Sequence, residues 1–195
     1  MSRGVGVLLV IAGPSGVGKG SIVQELRARE PGLWFSVSLN TRAPRPGEVD
    51  GVDYWFVDRA EFERLRDAGG LLEWFEVYDD LKGTPRAPLE AHLATGDDVV
   101  LELDVQGARA VRTAFPEALL VFVAPPSRAV QRERLFRRDP GADPAALERR
   151  LDQAEAEEAA AADFDAVVVN DDLSRAAAEV AAILRARRAG TDGSR

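Results

Sequence analysis

The stretch VLLVIAGPSGVGKGSIVQEL, residues 7–26, joins an apolar segment, a glycine-rich turn and an amphipathic segment. This order predicts a strand, a loop and a helix, an arrangement that turns backbone N–H groups and a helix N-terminus towards an anion. Gly13, Gly16 and Gly18 allow close backbone approach and positive φ, and Lys19 reaches the β and γ oxygens of a nucleotide. We therefore predict a nucleotide phosphate loop formed by Gly13, Pro14, Ser15, Gly16, Val17, Gly18, Lys19, Gly20 and Ser21.

The position after the lysine departs from the usual loop, because Gly20 stands where a serine or threonine is expected to bind Mg²⁺. Ser21 can supply a hydroxyl oxygen one residue further on. Alternatively, water and the nucleotide phosphates hold most of the coordination sphere of Mg²⁺, as is common for this ion. The departure bears on how the metal is held and leaves the predicted phosphate binding intact.

Composition excludes several classes of protein. The chain has 195 residues, which suits one domain with small insertions. A formal net charge of −8 disfavours nucleic-acid binding, and no apolar run approaches the ~18 residues of a membrane span. The N-terminus does not resemble a signal peptide, and the absence of cysteine fits a cytoplasmic enzyme. Only two of the 25 basic residues are lysines, Lys19 and Lys82.

Apolar segments alternate with helical patterns along the chain and predict an α/β fold. The nearly continuous apolar runs favour a parallel sheet that is buried on both faces. Strands are predicted at 5–12, 34–38, 54–57, 72–77, 99–103, 119–123 and 166–169. Helices are predicted at 19–29, 59–68, 88–94, 106–114, 128–137, 144–161 and 173–188.

Two segments interrupt this alternation. Residues 38–88 contain shorter strands, aromatic residues and Pro/Gly turns, which indicates an insertion, and residues 127–163 lack strands and are rich in Arg, Asp and Ala, which indicates a mobile helical lid. We expect one unit of 195 residues, with a core at 1–37, 89–126 and 164–189 and a disordered tail at 190–195.

A second loop, SVSLNTRAPRPGEVDGVDYWF at residues 36–56, follows the second predicted strand. Pro44 and Pro46 favour extended geometry for the residues before them, which turns Arg42 and Arg45 to the same side. Two guanidinium groups in this arrangement suit a dianionic phosphate, and the Tyr54 hydroxyl offers a further donor. Read alone, the stretch is also compatible with a solvated Arg/Pro loop.

With both loops in this order, the chain from Val7 to about Leu184 closely resembles guanylate kinase. The resemblance implies a P-loop core with a parallel sheet, a GMP-binding insertion, a lid that closes over ATP, and Mg²⁺-dependent phosphoryl transfer from ATP to GMP. It implies small-molecule substrates and no nucleic-acid or membrane partner, and leaves the oligomeric state open. In the family's acceptor element, arginines and a tyrosine hold the GMP phosphate; the matching residues are Ser38, Arg42, Arg45, Glu48 and Tyr54.

By the same resemblance, Glu73, Thr84 and Asp104 occupy the positions that recognise guanine. A carboxylate accepts from N1–H and the 2-amino group together, whereas adenine lacks those donors, and such a site can discriminate by on the order of 10⁴. Taken alone, Glu73 is more typical of a solvated carboxylate at a strand end. Lys82 replaces a tyrosine that helps to hold the GMP phosphate in the family. It contacts the phosphate in place of that hydroxyl, or extends into solvent.

Glu102 and Asp104 are two residues apart, which predicts that both lie on one side of a strand at its carboxyl end. Ligands of open α/β sheets bind at that end. The pair can contact the base or orient Mg²⁺-bound water, and we favour the base contact for Asp104.

The remaining predicted site residues lie in the lid and after the last strand. Arg134 and Arg138 are four residues apart on one helical face. By resemblance they stabilise the transferring phosphoryl group together with Arg150 in a second helix, although neighbouring Arg137 and Arg149 leave the assignment ambiguous by one residue. Asn170 matches the family's adenine-side element. As an isolated motif, Asn170 or Asp172 could instead cap the last helix.

Two alternative functions differ from the predicted one, the first in class and the second in substrate. A guanylate-kinase-like binding module that has lost catalysis is expected to have an eroded phosphate loop, and this loop keeps Gly18 and Lys19. A P-loop kinase for another phosphorylated small molecule is expected to lack Glu73, Thr84 and the TRAPRPGE stretch. The sequence therefore predicts an active ATP:GMP phosphotransferase.

Overall fold

The computed structural model describes residues 5–45, 47–77, 79–138, 141 and 143–192. Nine strands and seven α-helices are found in these residues. The strands are β1 (Leu8–Ala12), β2 (Leu33–Phe35), β3 (Leu39–Asn40), β4 (Trp55–Phe56), β5 (Leu71–Val77), β6 (Asp80–Pro85), β7 (Asp98–Glu102), β8 (Leu119–Ala124) and β9 (Ala166–Val169). The helices are α1 (Lys19–Arg29), α2 (Arg59–Asp67), α3 (Arg86–Ala94), α4 (Val105–Ala114), α5 (Arg128–Arg138), α6 (Pro144–Glu158) and α7 (Leu173–Asp192), with a 3₁₀ helix at Ala159–Asp163.

The main sheet is parallel, with strand order β2-β7-β1-β8-β9. Alternate residues of β1 enter different apolar clusters. Leu9 and Ile11 pack with residues of α1 and α7, whereas Leu8 and Val10 pack with residues of α3 and α4. Both faces are therefore buried, which is why the strands have nearly continuous apolar sequences. The predicted α/β class with a parallel sheet is confirmed.

A second, four-stranded sheet has the order β4-β3-β6-β5 and lies within residues 39–85. β6 pairs antiparallel with both β3 and β5. This sheet has its own apolar cluster, which includes Leu39, Phe62, Leu71 and Leu81. Sequence analysis missed β3 and β6, because neither carries a run of β-branched or aromatic residues.

Other boundaries differ from the sequence predictions. The first strand starts at Leu8 instead of Val5, and α7 continues to Asp192, into the segment that was expected to be a disordered tail. Residues 193–195 lie outside the described part of the chain. No helix of the described residues is sufficiently long and apolar to span a membrane.

Candidate functional site

The glycine-rich loop leads from β1 into α1 at the carboxyl end of the main sheet. Gly13, Gly16 and Gly18 all have positive φ, at 148°, 83° and 89°, and α1 begins directly after Gly18. Lys19 Nζ donates to the carbonyl oxygens of Gly13 (2.6 Å) and Pro14 (3.1 Å). Burial of the ammonium group lowers the Lys19 pKa, and the nearby Glu102 carboxylate opposes that shift. The loop therefore holds its cation in place by its own carbonyl groups.

A cavity of about 760 Å³ opens over this loop. Its walls come from the loop, from the ends of β7 and β9, and from α5 and α6. Ligands of open α/β sheets bind at this end of the strands. Predicted site residues that line the cavity are Gly13, Ser15, Gly16, Gly18, Lys19, Gly20, Ser21, Asp104, Arg134, Arg150 and Asn170.

Gly20 lies against an acidic side chain. A Cβ atom at this position would be 3.4 Å from Glu102 Oε2. Because glycine has no side chain, the Glu102 carboxylate lies directly beside the loop at Gly20. Ser21 lines the same cavity as Glu102.

Asp104 occupies a different local structure from the one predicted. β7 ends at Glu102, so the expectation that both carboxylates lie on one strand is wrong. Asp104 is the N-cap of α4, and its Oδ1 accepts from Gly107 N at 2.7 Å. The helix begins immediately after the strand, and capping its first turn satisfies an otherwise unpaired N–H group. Glu102 and Asp104 nevertheless line the same cavity.

Arg134 connects α5 to the phosphate loop. Its guanidinium donates to Val17 O (3.1 Å) and Asn170 O (2.9 Å). Asn170 is 3 % exposed, and its Nδ2 donates to Val17 O at 2.7 Å. Within the described residues, Asn170 Oδ1 is buried and has no hydrogen-bond partner. A buried unpaired acceptor is costly, and Asn170 is one of the residues that line the cavity.

The positions of the side chains help to decide between neighbouring residues that the sequence left ambiguous. Arg134 and Arg150 line the cavity, whereas Arg137 pairs with Glu133 on the surface and Arg149 is exposed. Asp172 Oδ1 accepts from Arg175 N at 2.8 Å, so Asp172 caps the first turn of α7. The side chain of Arg138 lies outside what the structure describes.

Two polar cavity residues, Gln153 and Glu157, were not predicted from the sequence. They follow Arg150 by three and seven positions on α6, so they share one helical face with it. Burial raises the Glu157 pKa, although the charge of Lys19 acts in the opposite direction. The helical spacing from Arg150 was a signal that could have identified both residues.

The second loop is held together by Glu48. Arg42 donates to both Glu48 carboxylate oxygens, each at 2.6 Å, and Arg45 N donates to Glu48 Oε2 at 2.8 Å. The hydrogen bonds from Arg42 lower the Glu48 pKa to about 2. The Arg42 guanidinium and the Lys82 ammonium each lie 5.2 Å from the centre of the Tyr54 ring. The structure therefore brings two predicted acceptor-side cations, Arg42 and Lys82, to the aromatic ring of a third predicted residue, Tyr54.

Glu73 lies in the middle of β5 and opposite Thr84 of β6. It is 6 % exposed, so its interpretation as a solvated carboxylate is wrong. Thr84 Oγ1 donates to Glu73 Oε1 at 2.5 Å. Burial raises the Glu73 pKa to about 7, and the Asp104 charge adds to this effect, whereas the Thr84 hydrogen bond and Lys82 oppose it. A buried polar pair with free carboxylate capacity is suited to recognise a small polar ligand.

Ser38, the remaining predicted acceptor residue, is 8 % exposed and directly precedes β3. Its carbonyl oxygen accepts from Trp55 N at 2.9 Å. Pro46, which supported the predicted extended geometry of the loop, lies outside the described residues.

Comparisons with known proteins decide the family. The protein-family model described as "Guanylate kinase" matches residues 6–187 of this chain. The chain belongs to the guanylate kinase family. A guanylate kinase of Symbiobacterium thermophilum is 50 % identical over 186 residues, with 95 % of this chain and 88 % of the relative covered. A guanylate kinase of a Mycobacterium species is 52 % identical over 184 residues, with 93 % and 92 % covered.

A solved structure agrees with this family. A crystal structure of guanylate kinase from Anaplasma phagocytophilum superposes with a TM-score of 0.79 at 35 % identity, covering 96 % of this chain and 89 % of that chain. A gluconokinase from Sinorhizobium meliloti shares the fold at 20 % identity and a TM-score of 0.51. The resemblance to guanylate kinase, which was inferred from the sequence motifs of this chain, is thus confirmed.

Proposed function

We propose that the residues around this cavity and the second sheet carry out the guanylate kinase reaction, ATP + GMP giving ADP + GDP. The observation that carries the residue assignments is the buried Glu73–Thr84 pair, 6 % and 0 % exposed, in a chain that also has an intact phosphate loop. A P-loop kinase for a sugar phosphate has no need for a buried carboxylate that accepts two adjacent N–H groups. Glu73 accepts from N1–H and the 2-amino group of guanine. The Thr84 hydroxyl, which donates to Glu73 in the free protein, turns to donate to O6, and Asp104 contacts the same base.

On the donor side, the loop residues 13–21 bind the ATP phosphates through backbone N–H groups, and Lys19 binds the β and γ oxygens. Arg134, Arg138 and Arg150 neutralise the charge of the transferring group. Asn170 Oδ1, buried without a partner among the described residues, accepts from the 6-amino group of adenine. In these assignments, each donor group of the protein faces an acceptor on ATP, and the Asn170 acceptor faces a donor.

On the acceptor side, Arg42, Arg45, Tyr54 and Lys82 bind the GMP phosphate. Glu48 orients the Arg42 guanidinium through its paired hydrogen bonds and holds the loop through Arg45 N. Ser38 lies at the start of the same sheet and completes this set. We assign residues 38–88 as the GMP-binding segment and 127–163 as a lid that closes over ATP and excludes water.

Mg²⁺ fits the donor set beside the loop. Ser21 and Glu102, which line the same cavity beside Gly20, would each supply an oxygen to bound Mg²⁺, and the ATP phosphates would supply the others. The described residues contain no group of three or more His, Cys, Asp or Glu that could hold a metal. When bound, Mg²⁺ neutralises phosphate charge.

The chemistry requires positioning and charge neutralisation. An oxygen of the GMP phosphate forms a bond to the γ-phosphorus of ATP while the bond to the β,γ-bridging oxygen breaks, and that electron pair leaves with ADP. Dianionic GMP has no proton to lose, so no residue is assigned as a general base. Lys19 and the arginines stabilise charge, and closure of the lid keeps water from the γ-phosphoryl group.

Replacement of Ser21 by alanine is expected to raise the Mg²⁺ concentration for half-maximal activity by about tenfold while kcat at saturating Mg²⁺ stays within about threefold. The reason is that Ser21 supplies one oxygen of a coordination sphere in which most ligands come from phosphates and water. Mg²⁺ titration of the initial rate measures this. Ser174→Ala, which removes a surface hydroxyl that accepts from Arg29, is the control. An unchanged Mg²⁺ requirement in Ser21→Ala would contradict the assignment.

The proposed function is tested by ADP release with ATP, Mg²⁺ and, in turn, GMP, AMP, CMP and UMP. Turnover with GMP on the order of 10³ above the other nucleotides is expected, because only guanine satisfies Glu73. Folded protein that binds GMP and does not turn over would favour a binding module. Folded protein that neither binds nor phosphorylates GMP would point to another acceptor.

A further inference from the structure

Gln131 is a buried polar residue of α5 to which the proposed function assigns no role. It is 1 % exposed, and its Nε2 atom donates to the carbonyl oxygen of Ser15 in the phosphate loop at 2.8 Å. Arg134, three positions further along the same helical face, donates to Val17 O at 3.1 Å. Two side chains of α5 are therefore bonded to backbone carbonyl groups of the phosphate loop.

Gly16, which lies between these two carbonyl groups in the chain, packs directly against α5. A Cβ atom at this position would lie 2.7 Å from Cγ of Leu135, and Leu135 is 2 % exposed. An apolar side chain at position 131 would satisfy the packing of so closely fitted a contact. A buried amide is unfavourable unless it is hydrogen-bonded, so the bond from Gln131 to Ser15 O is what accounts for the polar residue here.

This bond fixes the direction of a backbone N–H group. The peptide unit that carries Ser15 O also carries the N–H of Gly16, and in a trans peptide the two groups point in opposite directions. Gly16 lines the cavity over the loop, and no acceptor in the described part of the chain receives its N–H. Because Gln131 holds Ser15 O towards α5, the Gly16 N–H is directed away from α5 and is available to an anion in the cavity.

We propose that Gln131 is a positioning residue whose side-chain amide holds the Ser15–Gly16 peptide in the orientation in which Gly16 N–H donates to the ATP phosphates. This inference rests on the proposed function, which assigns the loop to ATP. Without the amide, the peptide unit is free to turn, because glycine at position 16 permits a wide range of backbone angles. A donor that is oriented before the ligand arrives stabilises phosphate charge without reorganisation. Gln131 thus acts on the affinity for ATP through Gly16.

The test compares the wild-type protein with Gln131→Leu and Gln131→Glu, which keep most of the side-chain volume and remove its N–H donor. Calorimetry with the non-hydrolysable analogue AMP-PNP and Mg²⁺ should show about tenfold weaker binding in both variants, whereas the affinity for GMP alone should change by less than about twofold. Glu133→Gln, on the exposed side of α5 where Glu133 pairs with Arg137, is the control and should bind AMP-PNP as the wild type does.

A spectroscopic measurement separates the orientation of the peptide from a general loss of structure. Ser15–Gly16 is the only Ser-Gly pair in the sequence, so labelling with ¹³C′-serine and ¹⁵N-glycine gives one amide signal, that of Gly16. In the wild-type protein, AMP-PNP should move this amide proton downfield, as expected for an N–H that donates to an anion. The shift should be smaller in both Gln131 variants and unchanged in Glu133→Gln.

The proposal stands only if the AMP-PNP affinity and the Gly16 shift both fall in the Gln131 variants, and any other combination overturns it. Equal losses of AMP-PNP and GMP binding with a wild-type Gly16 shift would restrict Gln131 to the packing of α5. Thermal unfolding checks that each variant is folded, and either variant provides the test if the other does not fold. The binding measurements use AMP-PNP without turnover, so a wild-type protein that binds AMP-PNP and fails to phosphorylate GMP would reject the proposed function alone.

Discussion

Lys19→Ala is expected to lower kcat for GDP formation by at least about 10³-fold. Lys19 lies at the start of α1 and is held by the carbonyl oxygens of Gly13 and Pro14. Its ammonium is therefore oriented before ATP binds. Such a group stabilises the charge that moves to the β,γ-bridging oxygen at no cost in reorganisation. Alanine removes both the charge and the contacts that fix the loop.

Steady-state ADP release measures this effect, and GMP affinity provides the internal control. The proposal assigns Lys19 to ATP and not to GMP, so Lys19→Ala should bind GMP within about threefold of wild type in calorimetry. Lys19→Arg is expected to remain strongly impaired, because a planar guanidinium does not replace a compact ammonium inside a tight loop. An active Lys19→Ala protein would contradict the proposed mechanism.

Glu73→Gln is expected to lower kcat/KM for GMP by about 10³-fold, since it loses two charge-assisted hydrogen bonds and sets an NH₂ group against guanine donors. The preference for GMP over AMP should fall with it. The same substitution removes a buried carboxylate, so the free energy of unfolding of the free protein should not decrease at neutral pH. Kinetics with GMP and AMP, together with chemical denaturation, measure the two effects on one protein.

The Glu73 pKa of about 7 also predicts a pH dependence. Guanine requires the ionised carboxylate, so KM for GMP should fall about tenfold as pH rises from about 6 to about 8. GMP binding should release a proton near pH 7. In the free protein the sign is reversed: the raised pKa favours folding below the unfolded value of 4.5, and this contribution is lost as pH rises to about 7.

Glu73→Gln serves as the control for pH, because the GMP phosphate itself titrates near pH 6. The pH dependence that remains in this variant reports the phosphate, and the difference from wild type reports Glu73. A KM for GMP with the same pH profile in both proteins would show that Glu73 does not contact the base. Unaltered selectivity for GMP in Glu73→Gln would lead to the same conclusion.

Local sequence was sufficient to predict the elements on which the phosphate loop depends. The glycines and Lys19 mark the start of α1 correctly, and β9 has its predicted bounds, because turn residues delimit both elements. The same reasoning failed for β6, which contains lysine, glycine and proline and is a strand only because β3 and β5 pair with it. The burial of Glu73 depends on that pairing and could not be inferred from nearby residues.

The end of β7 illustrates a second limit. A spacing of two residues predicts that Glu102 and Asp104 lie on one strand, but helix α4 begins one residue earlier than predicted and uses Asp104 as its cap. Sequence patterns locate such a boundary to within a few residues only. Both side chains still reach the cavity, because the end of a parallel strand and the start of the next helix lie at the same edge of the sheet.

The apolar cluster of the four-stranded sheet is separate from those of the parallel sheet, so thermal unfolding of the two sheets need not be fully cooperative. Leu39, Phe62, Leu71 and Leu81 form a small core of their own, apart from the two clusters that flank the parallel sheet. A small core is a unit of lower local stability. On warming, protection of backbone amides from hydrogen exchange should therefore be lost first in β3, β4 and β6. The parallel strands, and β5, whose Leu72 packs with the cluster of the parallel sheet, should stay protected longer. Inactivation by heat then begins as a loss of acceptor recognition in a protein that is still largely folded.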